Sequence, residues 1–402
     1  MAGEVTSSGR EDMNKATAAI SAMACISALS WPGAATQAQP SDAAPGSPRW
    51  FFDVTAERPA DPRSTEHQVY VQNLVAAGRE DLLAGLDGPM QLLPAECDLR
   101  PSGDRSIVEQ LAERASTTTI VIVNEAHDTP KHREFTRQLA AALRDRGYTH
   151  FAAETFSPAI GHNPGEPFGR GDAGYYATEP AFGNLIRTVK ELGYTLVAYE
   201  QTDAQRAPAG ANAAAAVAAR EEAQANNLIE RIFAAEPQRK ALIHVGYSHA
   251  AEVPLANFDT RFAWMAARLK AKTGVDPLTI DQIYCASPTE GLALAEPPSQ
   301  LPAGAFDVAV AHPPTEFLRG RPQWRIDAGA IAVELPEQLV DESRRTLVEA
   351  RHADEPPDAI PVDRLLLRPG ERMPLLLPAG SLRLTQYYED GAAPRSLILN
   401  VR

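Results

Sequence analysis

The sequence predicts an α/β fold, a mostly parallel sheet flanked by helices on both faces, with a small β-rich C-terminal domain. Two observations carry this. Between residues 104 and 290, short β-branched runs alternate with stretches of helical apolar spacing, the rhythm that builds a parallel sheet. Beyond Ala286 that rhythm gives way to proline-rich segments with short strand-like runs. The 402 residues, 44% of them apolar, are enough for one large core or two smaller ones.

The elements follow in chain order. Lys15 precedes an uncharged, Ala/Ile/Met/Leu-rich stretch at 16–29. Residues 1–38 therefore read as a signal peptide, with Met13 a better start than Met1 and Thr36-Gln37-Ala38 as the cleavage candidate. An uncleaved tail is the alternative. Ala24-Cys25 is a degenerate lipoprotein site, since Ala22 stands where leucine is expected, and lipidation is the minor reading. The apolar stretch is too short for a stable membrane span. The expected location is periplasmic or secreted.

Residues 39–49 read as a linker, and Trp50 begins an α/β catalytic or ligand-binding domain extending to residue 325. Residues 65–86 have loose helical spacing interrupted at Gly78, and a helix carrying Ile107, Val108 and Leu111 leads into a strand at 117–123. Asp128-Thr129-Pro130 is a helix-start signal, Phe135, Leu139 and Leu143 form the inner stripe, and Gly147 stops that helix. A strand at 150–153, a helix at 181–192, a strand at 194–199, an alanine-rich helix at 213–235 and a strand at 241–245 come next. Asp259 can cap a helix carrying Phe262, Met265 and Leu269, and 278–284 reads as the fifth strand. Runs at 306–310, 330–335, 365–367, 375–377, 382–388 and 397–401 return to the sheet edge and then build the β-rich module, residues 326–402.

Charge excludes one class of partner. Acidic residues outnumber basic ones by 52 to 38, a net charge of −14, and no Lys/Arg cluster offers a track for a phosphate backbone, so no nucleic acid is expected. Without Cys25 the mature chain keeps Cys97 and Cys285, and one disulfide is the economical reading in an oxidising compartment, two buried thiols being the alternative.

The functional signal lies in where polar residues fall. The first strand runs into Asn124-Glu125-Ala126-His127, the second into Glu154, the third into Glu200, and the fourth into Gly246-Tyr247-Ser248-His249. In a parallel sheet these carboxyl ends share one rim, where open α/β sheets bind ligands. Glu125 and His127 are two residues apart, so in extended backbone they point to one side, and the carboxylate can hold the imidazole in one tautomer toward an attacking water. Glu154 and Glu200 can share that water or bind a cation. Arg220, in the preceding helix, can pair with Glu200 or a ligand carboxylate, while a solvent-facing arginine is the bland reading. His244, inside the fourth strand, reads as a hydrogen-bonded core histidine. The glycine-rich segment 161–176, with His162, Asp172 and Tyr175, reads as a loop able to cover the rim.

The phrases Val123-Asn124-Glu125-Ala126-His127, Glu154 after a strand, Arg220 to Asn227 in a helix, and His244-Val245-Gly246-Tyr247-Ser248-His249 resemble the erythromycin esterase/ChaN-like superfamily, to which TraB/TIKI proteins are related. Asn124 stands where the family's Gly-Glu-x-His motif has its glycine. The resemblance covers about residues 104–290 and implies different chemistries by branch: ester or lactone hydrolysis by His and Glu, TIKI-like metal-dependent peptidase activity, or ChaN-like haem binding. Five acid-base groups on one rim fit hydrolysis better than a haem clamp. There is no Gly-x-Ser-x-Gly elbow and no His-Glu-x-x-His helix.

The reading is a hydrolase acting on a small-molecule or peptide substrate, with His127 as base, Glu125 or Glu154 orienting it, and His249 and Arg220 stabilising the oxyanion. No cofactor is favoured. The alternatives are a metallohydrolase with His127, His249, Glu125, Glu154 and Glu200 on Mn, Fe or Zn, and an exported haem or ligand carrier.

Overall fold

The computed structural model describes residues 43–402 apart from 63, 84–85, 87–94, 101–104, 158–168, 170–172, 258–259 and 288–290. The signal-peptide reading, Met13, Cys25, the first residues of the linker, His162 and Asp172 of the covering loop, and the Asp259 cap lie outside the described residues.

An eight-stranded sheet forms the centre, made of β1 (Leu99–Arg100), β2 (Ile120–Glu125), β3 (His150–Ala153), β4 (Thr195–Ala198), β5 (Ala241–Gly246), β6 (Leu278–Asp281), β7 (Ala293–Ala295) and β8 (Val308–Ala311). Its order is β1-β7-β8-β6-β2-β5-β3-β4. The run from β8 to β4 is parallel throughout, and β7 lies antiparallel between β8 and β1. The fold is α/β, and β2 and β5 sit at its middle.

Alternate residues of the strands feed two cores. Val121, Val123, Phe151 and Leu242 face the helices α3 (Ile107–Arg114), α4 (Lys131–Arg144) and α5 (Pro180–Glu191). Ile120, Ile122, Ala152 and Ile243 face α6 (Ala213–Leu228) and α7 (Met265–Thr273). With both faces covered, the strands have the continuous apolar runs expected of a buried parallel sheet. Leu139, on the inner stripe of α4, is fully buried, a position at which truncation to alanine typically costs ~2–5 kcal/mol.

Several local expectations need correction. No side chain caps α4: Pro130 is its N-cap residue, and Asp128 instead accepts from Thr129. Helix α3 starts from a capping box, Ser106 with Glu109. Helix α6 ends at Leu228 and runs on as one wide π turn, Ile229–Phe233. Phe262 belongs to a short strand, Thr260–Phe262, so α7 begins only after Trp264. The fifth strand stops at Asp281, whose carboxylate turns back to accept from the Ile283 and Tyr284 amides.

Cys97 and Cys285 are joined by a disulfide across 188 residues, tying the segment before β1 to the segment after β6. At the C-terminal end, β9 (Thr346–His352), β10 (Asp363–Leu367), β11 (Gly380–Tyr388) and β12 (Arg395–Val401) form an antiparallel sheet in the order β10-β9-β11-β12, with its own apolar cluster. The N-terminal helices α1 (Pro48–Val54) and α2 (Thr65–Ala76) pack there, Trp50, Phe51, Phe52 and Ala76 clustering with Leu347 and Leu366. No helix among the described residues is long and apolar enough to cross a membrane.

Candidate functional site

The register of the two middle strands builds the site. In the β2/β5 pair Ile120 lies opposite Ala241 and Glu125 opposite Gly246, so residues 125–128 leave the sheet beside 246–249. Ala153 of β3 lies opposite His244, and Glu154 follows. Glu200 follows β4, and α6 lays Arg220 across the rim. The structure thus brings Glu125, His127, Glu154, Glu200, Arg220 and His249 together.

On one side stands a carboxylate–imidazole pair. Glu125 Oε1 is 2.9 Å from His127 Nδ1. Arg133 of α4 grips the same carboxylate from behind, Nε donating to Oε2 at 2.7 Å and Nη2 to Oε1 at 2.8 Å, and its Nη1 donates to Glu179 at 3.0 Å. Burial alone would raise the Glu125 carboxyl, but Arg133 and His244 outweigh it and hold it well below the usual range. An ionised Glu125 only accepts, so the His127 proton sits on Nδ1 and Nε2 is the basic nitrogen. His127 is 8% exposed, and Nε2 has no hydrogen-bond partner among the described residues.

The imidazole is held on its faces as well. Tyr176 stacks on it at 3.8 Å between ring centres and 16° between planes, and Tyr247 meets it edge-on at 5.0 Å. Tyr247 has φ 44°, a left-handed backbone costly for a bulky residue, and its carbonyl accepts from Asn124 Nδ2 at 3.1 Å. That turn lets the Tyr247 hydroxyl accept from the His127 amide at 3.3 Å. Gly246 gives the ring its room, since a Cβ there would sit 2.5 Å from His127 Cε1 and 3.2 Å from Glu154 Oε2.

On the other side Arg220 is the hub. Its Nε donates to Glu200 at 3.0 Å, its Nη2 donates to Glu154 and to Glu200, and its Nη1 is 3.3 Å from His249 Nε2. Glu154 Oε2 accepts from the Gly246 amide at 2.7 Å. Burial would raise the Glu154 carboxyl; His249, Arg220 and His127 outweigh it and bring it to about 2. His249 Nδ1 is 2.8 Å from Glu221 Oε2, and Nε2 lies 3.6 Å from Glu154. Burial would lower the His249 pKa, but Glu221 and Glu154 raise it above the ordinary histidine value. The Glu200 side chain is 23% exposed and marks the open edge of the cluster.

The donor set does not fit a metal. Glu154 and Glu200 already hold a guanidinium, Glu125 holds a second, and among the described residues no group of three or more His, Cys, Asp or Glu is arranged around an ion. Haem finds no better fit, because the groups around His127 Nε2 are the Gly246 backbone, on which a Cβ would fall 2.7 Å from that nitrogen, and the charged Glu154–Arg220 pair instead of a flat apolar slot. His244 is in the core, as its place inside the strand predicts, with Nε2 3.3 Å from Glu125 Oε2 but in no hydrogen bond.

Four residues of the site escape a sequence reading: Arg133, Glu179, Tyr176 and Glu221. Arg133 is one of several arginines on α4 and only its buried partner distinguishes it. Tyr176 falls within the segment read as a covering loop. Glu221 follows Arg220 and precedes Glu222, and helical spacing does not tell the buried glutamate from the surface one.

No protein-family model matches the chain, and no curated protein matches it. Solved structures give distant likenesses. A bacterial protein toxin matches at 15% identity and TM-score 0.32, covering 44% of this chain and 37% of its own. The type III effector HopBA1 matches at 14% and 0.34, covering 54% and 98%. Haem-bound ChaN of Campylobacter jejuni matches at 8% and 0.35, covering 50% and 91%. This chain therefore spans little more than a third of the toxin. At such TM-scores these likenesses carry no argument about chemistry, which rests on the site's own geometry.

Proposed function

We propose that the protein is an exported hydrolase of ester or lactone substrates, in the manner of the erythromycin esterase-like proteins it resembles, using His127 to activate water. The observation that carries this is the Glu125–His127 pair, with Nδ1 committed to a carboxylate that Arg133 keeps ionised and Nε2 left as the base. Water gives a proton to His127 Nε2 as its oxygen bonds to the carbonyl carbon. The resulting oxyanion is stabilised by the positive groups across the rim, Arg220 and His249. Collapse breaks the bond to the leaving oxygen, which takes the proton from the imidazolium and departs as the alcohol. Glu125 keeps the ring's orientation and tautomer throughout. Glu154, close to both imidazoles, orients the water. The disulfide accords with export.

The test is proton release in a pH-stat from a panel of aryl esters, alkyl esters and lactones, with and without a chelator. Turnover that persists with chelator supports the reading. Turnover that stops, and returns with Mn²⁺, Fe²⁺ or Zn²⁺, replaces it with the metallohydrolase.

A further inference from the structure

The short turn that carries Tyr176 is held from three parts of the chain. Gly174, at φ 140°, passes so close to Thr155 that a Cβ would lie 1.7 Å from the Thr155 carbonyl oxygen, and the Tyr176 amide donates to Thr155 Oγ1 at 3.1 Å. From the N-terminal helices, Asn73 Nδ2 donates to the Tyr175 hydroxyl at 2.8 Å while its Oδ1 accepts from Trp50 at 2.8 Å. From the C-terminal sheet, Arg364 Nη1 donates to the Thr178 carbonyl at 3.0 Å, its other side anchored by Glu349 at 2.7 Å. The next residue, Glu179, caps α5 through the Ala181 and Phe182 amides and also binds Arg133, the partner of Glu125.

A ring stacked on the base from such a turn is built into the scaffold of the site. We infer that Tyr176 is a positioning residue for His127, its ring fixing the plane in which the imidazole presents Nε2 to the Gly246/Glu154 edge. The inference rests on His127 being the base. It gives the terminal parts of the chain a role in chemistry: α2 and the C-terminal sheet hold the residues on either side of Tyr176, Tyr175 and Thr178, although neither supplies a side chain to the rim. The stack acts through orientation, because two aromatic planes at 3.8 Å leave the imidazole one rotational setting that also keeps the bond to Glu125.

Tyr176→Phe keeps the stack and Tyr176→Leu removes it, so the pair separates ring from hydroxyl. Activity is read on the best ester from the panel, and the His127 ring is read by NMR of protein labelled at histidine Cε1, with His127→Asn identifying its signal. The expected result is that Phe retains turnover, while Leu lowers kcat by about tenfold to a hundredfold with KM little changed. The His127 Cε1–H signal should move downfield in Leu as the ring current is lost, and stay in place in Phe. Equal loss of kcat in both variants would overturn the inference in favour of a catalytic hydroxyl. An unmoved His127 signal in Leu would overturn it whether or not any ester is turned over, so it can fail independently of the hydrolase reading.

Discussion

His249 Nδ1 lies 2.8 Å from Oε2 of Glu221, a glutamate with no exposed surface, so the rim holds a second carboxylate–histidine pair facing Glu125–His127 across Arg220 and Glu154. The two pairs differ in setting. His127 sits beside a carboxylate already shared with Arg133, whereas His249 has Glu221 on one nitrogen and both Glu154 and Arg220 near the other, the two carboxylates outweighing burial and the guanidinium to favour its cation. One imidazole is suited to accept a proton and the other to carry one.

Glu221→Gln should therefore lower turnover by roughly tenfold to a hundredfold, the usual effect of removing a carboxylate that holds a functional imidazole. Its stability signature has a definite sign. A histidine whose folded pKa is raised contributes stability below its ordinary value of 6.5, and that contribution is lost as pH rises through the folded value. The deficit of Glu221→Gln against the unmodified protein should be largest below pH 6.5 and shrink above it, as measured by thermal midpoints across pH. A pH-independent deficit would show that Glu221 acts only by accepting from the Met265 amide, its other bond at 2.7 Å.

Glu154 predicts the opposite limb. Its carboxyl is held at about 2 against an ordinary 4.5, so it contributes stability above 4.5 that is lost as pH falls through about 2. Glu154→Gln should cost stability near neutrality and converge on the unmodified protein as pH drops from 4.5 toward 2. Denaturant midpoints at a series of acid pH values check this, and parallel curves would contradict it.

Gly246→Ala is a test of placement. The added methyl would meet the His127 ring at 2.5 Å and Glu154 at 3.2 Å, while the strand around it stays apolar and paired. Turnover should fall by about a hundredfold through displacement of the base, with circular dichroism unchanged. Normal turnover would mean that His127 works from elsewhere.

The disulfide should be recoverable as one linked peptide pair containing Cys97 and Cys285 under non-reducing mass mapping. Closing a loop of 188 residues, it should contribute ~2–4 kcal/mol, seen as a lowered denaturant midpoint in Cys97→Ser/Cys285→Ser. Two freely alkylated thiols would contradict the pairing.

The parallel strands are legible in sequence because both of their faces are buried, so each reads as an apolar run that ends in a polar residue at the rim. The C-terminal sheet is legible only in part. Its central strand β9 contains Glu349, Arg351 and His352, and its composition hides it. The structure buries Glu349 between Arg351 and Arg364, each at 2.7 Å, and the charges that disguise the strand in sequence are paired inside it. The rim glutamates and histidines are likewise legible from position, since topology alone gathers strand ends. Arg133 and Glu221 are not, because each sits on a helix among residues of the same type. Glu222 beside Glu221 pairs with Arg268 and Lys272 near the surface, and only three-dimensional neighbours separate the two roles.

The most direct test of water activation by His127 is the rate of ester hydrolysis by His127→Asn, measured beside Leu139→Ala as a control for folding. The substitution keeps a polar side chain at the rim but removes the base, and the expected loss is ~10²–10⁴-fold in kcat in a protein that still unfolds cooperatively. Leu139→Ala should lose ~2–5 kcal/mol of stability and, where folded, turn over normally. A His127→Asn protein that hydrolyses the same ester at the unmodified rate would contradict the account.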